Sequence, residues 1–164
     1  MSSSRSRRLR AGWLAAWLVL AAAARGATEA PLTVLRADGT RTELALPDAG
    51  GALLVHFWAS WCPECVRELP GLERAAERCA GVLSIAAVNV GESLDAAESF
   101  RAAHGLRLPL LRDPDGELWR RFARGLPANL VWTPGGRRVW VGPATPTEWE
   151  RRLSELGCGA AKPG

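Results

Sequence analysis

The sequence predicts a single α/β domain, and three patterns near its middle support this prediction. Two continuous apolar runs, at residues 52–58 and 82–90, have the length and composition of buried strands. Between them, residues 62–79 place apolar side chains three and four positions apart, as an amphipathic helix does. Because strand and helix alternate, we expect the two strands to be parallel and joined by a right-handed crossover.

Shorter patterns predict the elements on either side of this central unit. Two β-prone runs within residues 32–46 flank Asp38-Gly39, which is typical of a hairpin turn. Pro70 should kink the long helix. The later elements are predicted to be a helix at 93–104, a short strand at 108–111, a turn at 113–116, a short helix at 117–124, a hairpin of strands at 129–133 and 137–141, and a closing helix at 147–156.

The N-terminal segment, residues 1–27, differs in charge from the rest of the chain. The chain has 21 basic and 17 acidic residues, but five arginines and no acidic residue lie in this segment, which leaves 16 basic residues against 17 acidic ones. The basic balance therefore belongs to this segment. The predicted domain is close to neutral, and its charge does not indicate a nucleic-acid partner.

The same segment has the three-part order of a secretory signal. Its apolar run, residues 11–24, is 14 residues long, whereas a helix needs about 20 to cross a membrane, although Trp13 and Trp17 would suit an interface. We predict a signal peptide at 1–27, with a short N-terminal anchor as the alternative, and one domain at 28–164. In both cases the domain would be exported to a compartment where disulfides persist.

The four cysteines could form structural disulfides, a metal centre or a redox pair, and their spacing helps to choose among these three kinds of site. Cys62 and Cys65 are separated by two residues, whereas Cys79 and Cys158 are isolated. A zinc site would need a second ligand pair, which the sequence lacks. A structural disulfide that closes so short a loop would constrain the unfolded chain little. The pattern therefore favours a redox dithiol.

The position of this pair at a helix start predicts a different role for each thiol. Cys62 would lie at the N-terminus, where free backbone N–H groups and the positive end of the helix dipole stabilise a thiolate. Cys65, one turn further along, would lie on the apolar face. We therefore expect Cys62 to attack a disulfide and Cys65 to resolve the resulting mixed disulfide.

Three stretches of the sequence resemble one known family. They are Leu54-Val55-His56-Phe57-Trp58-Ala59-Ser60-Trp61-Cys62-Pro63-Glu64-Cys65 with Glu68-Leu69-Pro70, then Ala87-Val88-Asn89-Val90-Gly91-Glu92-Ser93, and Gly125-Leu126-Pro127 before a strand. Over residues 32–157 the chain resembles the thioredoxin-like proteins of the TlpA and ResA type. The resemblance implies a thioredoxin-like fold, in which a central mixed β-sheet is flanked by helices and an N-terminal β-hairpin is added.

The resemblance also implies an activity and its partners. Such proteins are membrane-anchored or secreted bacterial reductases that keep thiols reduced outside the cytoplasm, often the haem-binding thiols of apocytochrome c. We therefore expect a thiol-disulfide oxidoreductase that acts mainly as a protein disulfide reductase, as a monomer without cofactor or metal. It would lie in the periplasm or at the extracytoplasmic face of the inner membrane. Its partners would be a disulfide-bearing protein, such as apocytochrome c, and a membrane thiol electron donor.

Matching positions imply further site residues. Pro127 matches the family's cis proline, which faces the cysteine pair, so the substrate-binding residues would be Trp61, Pro63, Glu64, Leu126 and Pro127. Glu68 matches an acidic residue beside the cysteines. It follows Cys65 by three positions, so a helix would bring it near enough to move a proton during exchange, and a solvated helix glutamate is the alternative. The negative charges of Glu64 and Glu68 should raise the pKa of Cys62, which favours a reductant.

His56 departs from the family, whose members have aspartate or asparagine at the matching strand position. One interpretation is a buried neutral histidine bonded to the backbone. The other is a proton shuttle beneath Cys65, or a copper ligand together with the two thiolates. The second function left open is therefore a Cu(I)-handling protein that uses the Cys62 and Cys65 thiolates in the assembly of an oxidase copper centre. The thioredoxin arrangement also brings Cys79 and Cys158 to one edge of the domain, which implies a structural disulfide between them.

Overall fold

A computed structural model describes residues 31–46 and 50–159, so the predicted signal segment at 1–27 lies outside the described residues. In chain order the strands are β1 (Leu32–Arg36), β2 (Arg41–Leu44), β3 (Ala52–Trp58), β4 (Leu83–Val90), β5 (Leu111–Asp113), β6 (Ala128–Thr133) and β7 (Gly136–Val141). The helices are α1 (Pro63–Arg78), α2 (Leu94–Ala103), α3 (Glu117–Arg120) and α4 (Pro146–Glu155). None of these helices combines the length and the apolar character that a membrane span requires.

The strands form one mixed sheet in the order β2-β1-β5-β4-β3-β6-β7. β3 pairs in parallel with β4, and β4 pairs in parallel with β5, which confirms the predicted βαβ unit at the centre. The other pairings are antiparallel, and the two predicted hairpins, β1–β2 and β6–β7, form the two edges. The α/β class and the added N-terminal hairpin predicted from the sequence are therefore confirmed.

β3 is buried along its whole length and divides the core into two sides. Leu53, Val55 and Phe57 pack in the cluster that also holds residues of β1 and α3. The alternate residues Leu54 and Trp58 belong to the clusters formed with α1. Because side chains alternate along a strand, His56 faces the α1 side of the sheet, the side that carries the cysteines.

The strand predicted at 108–111 was placed too early, since β5 begins three residues later and spans Leu111–Asp113. Pro109 has no N–H to give to a neighbouring strand. The backbone N–H groups of Arg107 and Leu108 both donate to the carboxylate of Glu73 on α1, the second at 2.8 Å. These residues therefore form a loop that is fastened to α1, and pairing with β4 begins only at Leu111.

The helix predicted at 117–124 ends at Arg120. The carboxylate of Asp113 fixes its start, because it accepts the backbone N–H groups of Leu118 and Trp119. After the helix, the indole N–H of Trp119 donates to the carbonyl of Gly125 at 3.3 Å, which shapes the turn that leads into β6. The long helix α1, in contrast, continues through Pro70 as a single element.

Candidate active site at the start of helix α1

The cysteine pair lies at the start of α1, where Cys62 and Cys65 are joined by a disulfide with Cα atoms 5.4 Å apart. Cys62 is the N-cap residue and Pro63 opens the helix. Proline suits this position because the first N–H groups of a helix have no acceptor within it. Sγ of Cys62 accepts the backbone N–H of Cys65 at 3.3 Å. The structure thus places the predicted thiol pair where a helix N-terminus can stabilise negative charge on Cys62.

Both cysteines are buried, but only Cys62 keeps a small exposed surface. Cys65 is 0% exposed, Cys62 is 5% exposed, and the preceding Trp61 is 66% exposed. Pro63 is also exposed and Glu64 is partly exposed. A protein that approaches this end of the domain therefore meets Trp61 and Pro63 on either side of Cys62, while Cys65 remains covered.

The segment before β6 lies against the same cluster of residues. The Leu126–Pro127 peptide bond is cis, the geometry expected at this position. Leu126 is half-buried and packs against the apolar cluster that contains Cys62, Cys65 and Trp58. The carbonyl of the buried Pro127 accepts the backbone N–H of Gly142 at 2.9 Å, which fixes this segment to the end of β7. The structure therefore brings Leu126 together with the cysteine pair.

Glu68 is buried, with 8% of its surface exposed, so the alternative of a solvated helix glutamate is wrong. Its Oε1 accepts the backbone N–H of Ala144 at 2.8 Å, between β7 and α4. Burial raises the pKa of Glu68, and the Ala144 N–H and the indole of Trp149 partly oppose this rise. A carboxyl group with a raised pKa can exchange a proton closer to neutral pH than an ordinary glutamate can.

His56 is fully buried on the α1 side of the sheet. Its Nδ1 lies 2.8 Å from Oδ1 of Asn129 on β6, so a side-chain amide joins the expected backbone contact, which is with Cys65. Because an amide oxygen only accepts, Nδ1 carries the proton in this arrangement. Burial lowers the pKa of His56 to about 4, although Asn129 and the backbone of Cys65 act in the opposite direction. The imidazole is therefore neutral at pH 7.

Glu64, between the two cysteines, pairs with Arg67 one turn along α1. Both side chains are substantially exposed, at 40% and 67%. The partner arginine and the surrounding water both screen the charge of Glu64. Of the two acids that the sequence places near Cys62, Glu68 is the one in a low-dielectric environment.

Comparison with known proteins identifies the family. The AhpC/TSA family matches residues 27–137. The chain therefore belongs to the AhpC/TSA family. The thiol-disulfide oxidoreductase ResA of Bacillus subtilis (strain 168) is 34% identical over 125 residues, which cover 74% of this chain and 69% of ResA. The sporulation thiol-disulfide oxidoreductase A of the same strain is 29% identical over 110 residues, or 63% of this chain and 67% of that protein.

Solved structures share the fold of this chain. MTB DsbF, in mixed oxidized and reduced forms, is 26% identical with a TM-score of 0.66, over 76% of this chain and 93% of that one. The exposed lipoprotein thioredoxin of Streptococcus pneumoniae is also 26% identical, with a TM-score of 0.62, and the match covers 77% of this chain and 100% of that one. This AhpC/TSA protein is thus a thiol-disulfide oxidoreductase of the ResA type with a Cys62–Cys65 pair, in a thioredoxin-like fold.

At the opposite end of α1, this AhpC/TSA protein has a second disulfide. Cys79, the C-cap residue of the helix, is bonded to Cys158 after α4, and their Cα atoms are 5.1 Å apart. Both residues are 2% exposed. Burial separates this disulfide from any partner protein, which suits a structural role. Among the described residues, no group of three or more His, Cys, Asp or Glu side chains is arranged to hold a metal ion.

Sequence reasoning missed two polar residues that support the site of this family member. Asn129, which accepts the hydrogen bond from Nδ1 of His56, is an amide within the buried part of β6 and is 0% exposed. Glu92 accepts the backbone N–H and the hydroxyl of Ser60, two residues before Cys62. A polar residue inside a buried strand was a usable signal for Asn129. Glu92 lies in one of the stretches that carry the resemblance, but no local pattern indicates that it would bind Ser60, 32 positions earlier.

Proposed function

We propose that this protein is an exported protein disulfide reductase, in which Cys62 attacks a disulfide of another protein and Cys65 completes the exchange. The observation that carries the proposal is the difference between the two thiols. Sγ of Cys62 caps α1 and accepts the N–H of Cys65, whereas Cys65 has no exposed surface. An attacking thiol needs access and a stabilised thiolate, and a resolving thiol needs neither.

The proposed reaction begins with the reduced dithiol. The Cys62 thiolate attacks one sulfur of the substrate disulfide, so a Cys62–substrate disulfide forms and the other substrate sulfur leaves as a thiolate, which takes up a proton. Cys65 then loses its proton and attacks Sγ of Cys62, which releases the second substrate sulfur. The substrate gains two electrons, the cysteine pair loses two, and the protein ends in the disulfide form seen here.

Glu68 would receive the proton that Cys65 loses. It lies one helical turn after Cys65, it is buried, and burial raises its pKa towards neutral pH. The carboxylate form can accept the proton, and the groove between α1 and α4, which Glu68 lines, connects it to solvent. The raised pKa supports a role for Glu68 in proton transfer rather than a fixed negative charge.

The substrate would bind across the exposed end of the domain. Beside Cys62, Trp61 and Pro63 are exposed and Glu64 is partly exposed, and the half-buried Leu126 packs against the same cluster. Pro127 is buried, so it would contribute through the backbone of the Leu126–Pro127 segment rather than through an exposed side chain. Trp61 supplies a large exposed apolar surface beside the attacking sulfur, as expected for a residue that contacts partner proteins. Leu126 packs against the cluster that holds both cysteines, so a peptide that contacts Leu126 would lie within reach of Cys62.

The reducing direction and the location rest on further observations. For the direction, Glu64 lies between the two cysteines, and its negative charge, although weakened by Arg67 and water, disfavours a thiolate and so favours the disulfide form of the pair, as in a reductant. Relatives include a soluble secreted antigen and an exposed lipoprotein, and residues 1–27 have the order of an export signal. A membrane thiol donor would restore the dithiol, and the substrate class would be exported proteins with disulfides, such as apocytochrome c.

The reduction potential of the Cys62–Cys65 pair tests this proposal. Equilibration with glutathione buffers, followed by quantification of free thiols, should give a value near that of thioredoxin, about −270 mV. A value near about −120 mV, typical of strong oxidants such as DsbA, would contradict the reducing direction. The reduced protein should also reduce insulin, and the Cys62→Ser variant should not.

A further inference from the structure

The attacking cysteine ends a tight turn that a distant carboxylate holds in place. The backbone N–H of Cys62 donates to the carbonyl of Ala59 at 3.1 Å, which closes a four-residue turn with Ser60 and Trp61 at its centre. The backbone N–H of Ser60 donates to Oε2 of Glu92 at 2.8 Å, and the Ser60 hydroxyl donates to Oε1. Both the backbone N–H and the hydroxyl of Ser60 are therefore bonded to Glu92.

Glu92 is itself held by the strands of the central sheet. Nδ2 of Asn89, a residue of β4 that is 0% exposed, donates to Oε2 of Glu92 at 2.6 Å. The guanidinium of Arg112, on the paired position of β5, donates to the backbone carbonyl of Glu92 at 3.3 Å. The carboxylate thus accepts three hydrogen bonds and connects the turn before α1 to the end of β4, and the backbone carbonyl of Glu92 adds the contact with β5.

We propose that Glu92 is a positioning residue for the attacking thiol. By fixing Ser60, it keeps the Ala59–Cys62 turn in the conformation that places Sγ of Cys62 over the N-terminus of α1. This inference rests on the proposed function, because it assumes that Cys62 is the attacking thiol. Glu92 acts through Ser60 and the turn, and no contact between Glu92 and substrate is required.

The chemistry of the three contacts makes the carboxylate difficult to replace. Each of its bonds comes from a donor, namely the Ser60 N–H, the Ser60 hydroxyl and the Asn89 amide. The side chain of Gln has one acceptor oxygen and an NH₂ group, so it could keep all three contacts only if the Ser60 hydroxyl turned and accepted from that NH₂ group instead of donating. Hydrogen bonds to a charged group are also stronger than those to a neutral one. The substitution therefore loosens the turn while it keeps the size of the side chain.

The test is the rate at which the reduced protein attacks an aryl disulfide, measured across pH in Glu92→Gln, Ser60→Ala and the double variant. The plateau at high pH reports how well the thiolate is placed, and the midpoint reports the pKa of Cys62. We expect Glu92→Gln to lower the plateau about tenfold, the equivalent of one charge-assisted hydrogen bond, and Ser60→Ala to lower it less. The double variant should react no more slowly than Glu92→Gln, because both changes remove the same contact.

The matched control is Asp95→Asn, which removes an exposed carboxylate three positions further along, in the first turn of α2, and should keep the wild-type plateau. A Glu92→Gln variant with a shifted midpoint but an unchanged plateau would overturn the proposal, since Glu92 would then act through its charge alone. Independent losses that multiply in the double variant would also overturn it. If Glu92→Gln does not fold, the high-pH rates of Ser60→Ala and Asp95→Asn are compared. A lower rate in Ser60→Ala supports the proposal, and equal rates contradict it.

The same measurement separates this proposal from the proposed function. If the wild-type protein attacks the probe and Cys62→Ser does not, the assignment of Cys62 stands. Unchanged plateaus in the Glu92 and Ser60 variants would then refute only the positioning role. If Cys62→Ser reacts as fast as the wild-type protein, the proposed function itself fails.

Discussion

Nδ1 of His56 lies 3.8 Å from Oε2 of Glu68, yet the two groups do not form a charged pair at neutral pH. Both side chains are buried, and burial shifts them in opposite directions, lowering the pKa of His56 to about 4 and raising that of Glu68. The proton on Nδ1 is instead used in the 2.8 Å bond to Asn129. One buried, uncharged imidazole therefore connects β3 and β6 on the face of the sheet that carries the cysteines.

This arrangement predicts an acid-sensitive stability. The pKa of His56 falls from 6.5 in the unfolded chain to about 4 in the folded protein. As pH decreases through this window, the unfolded chain takes up a proton that the folded protein does not, so the folded state loses about 3 kcal/mol. Above pH 6.5 the imidazole is neutral in both states and the effect is absent.

Denaturant unfolding between pH 4 and 7 measures this loss. The wild-type protein should lose stability more steeply on acidification than His56→Asn, whose amide cannot take up the proton. Glu68, with its raised pKa, acts in the opposite sense in both proteins and so affects their difference little. The exposed His104 provides the control, and His104→Asn should keep the wild-type slope. Parallel curves for the wild-type and His56→Asn proteins would show that His56 does not titrate as described.

Glu68→Gln should slow the resolving step. An aryl disulfide releases one arylthiolate when Cys62 attacks and a second when Cys65 resolves, so the two steps can be followed as two phases. Loss of a general base slows proton transfer about 10²-fold or more, and we expect this effect in the second phase near neutral pH. Glu77→Gln, at an exposed and paired acid on the same helix, is the control. Equal second phases in the two variants would exclude the proton-transfer role.

Cys65→Ser should trap the natural partner. Attack by Cys62 remains intact in this variant, but the mixed disulfide is no longer resolved. Expressed in the native host, the variant should form a higher-mass adduct on non-reducing gels that reductant removes, and mass spectrometry would identify the bound protein. Cys62→Ser should trap little, because Cys65 is 0% exposed. Adducts on Cys62→Ser alone would reverse the two roles.

The disulfide between Cys79 and Cys158 should contribute to stability without entering the redox cycle. It joins residues 79 positions apart, and closure of a loop of this size is typically worth about 2 to 4 kcal/mol. Replacing both residues with Ala should lower the free energy of unfolding by about this amount. The reduction potential of the Cys62–Cys65 pair should stay at its wild-type value, and a shift in that potential would argue against a purely structural role.

Glu73 and Glu77 on α1 offer a matched comparison of a buried and an exposed carboxylate. Both lie beside Arg107, but Glu73 is buried and also accepts the backbone N–H groups of Arg107 and Leu108, whereas Glu77 is 65% exposed. Glu73→Gln should destabilise the protein by about 1 to 3 kcal/mol. Glu77→Gln should change stability by less than about 1 kcal/mol. Similar small losses in both variants, measured by denaturant unfolding, would show that the loop does not depend on Glu73.

The sequence alone predicted the elements whose signal is local. The apolar runs that became β3 and β4, the helical spacing of α1 and the turn residues of both hairpins each depend on neighbours within a few positions. The thiol pair was predictable for the same reason, because the spacing of Cys62 and Cys65 at a helix start is a short-range pattern. The resemblance then supplied the cis geometry at Pro127, which no local pattern indicates.

Only the tertiary structure decided the environments of the polar residues. Strand β5 begins at Leu111 rather than at residue 108 because a carboxylate 35 positions earlier binds the N–H of Leu108. The partner of His56 is 73 positions away, that of Ser60 is 32 and that of Glu68 is 76. Periodicity shows which face of an element is apolar, but not which distant donor or acceptor will meet a polar group there. The buried polar contacts that surround the cysteine pair are therefore properties of the folded chain.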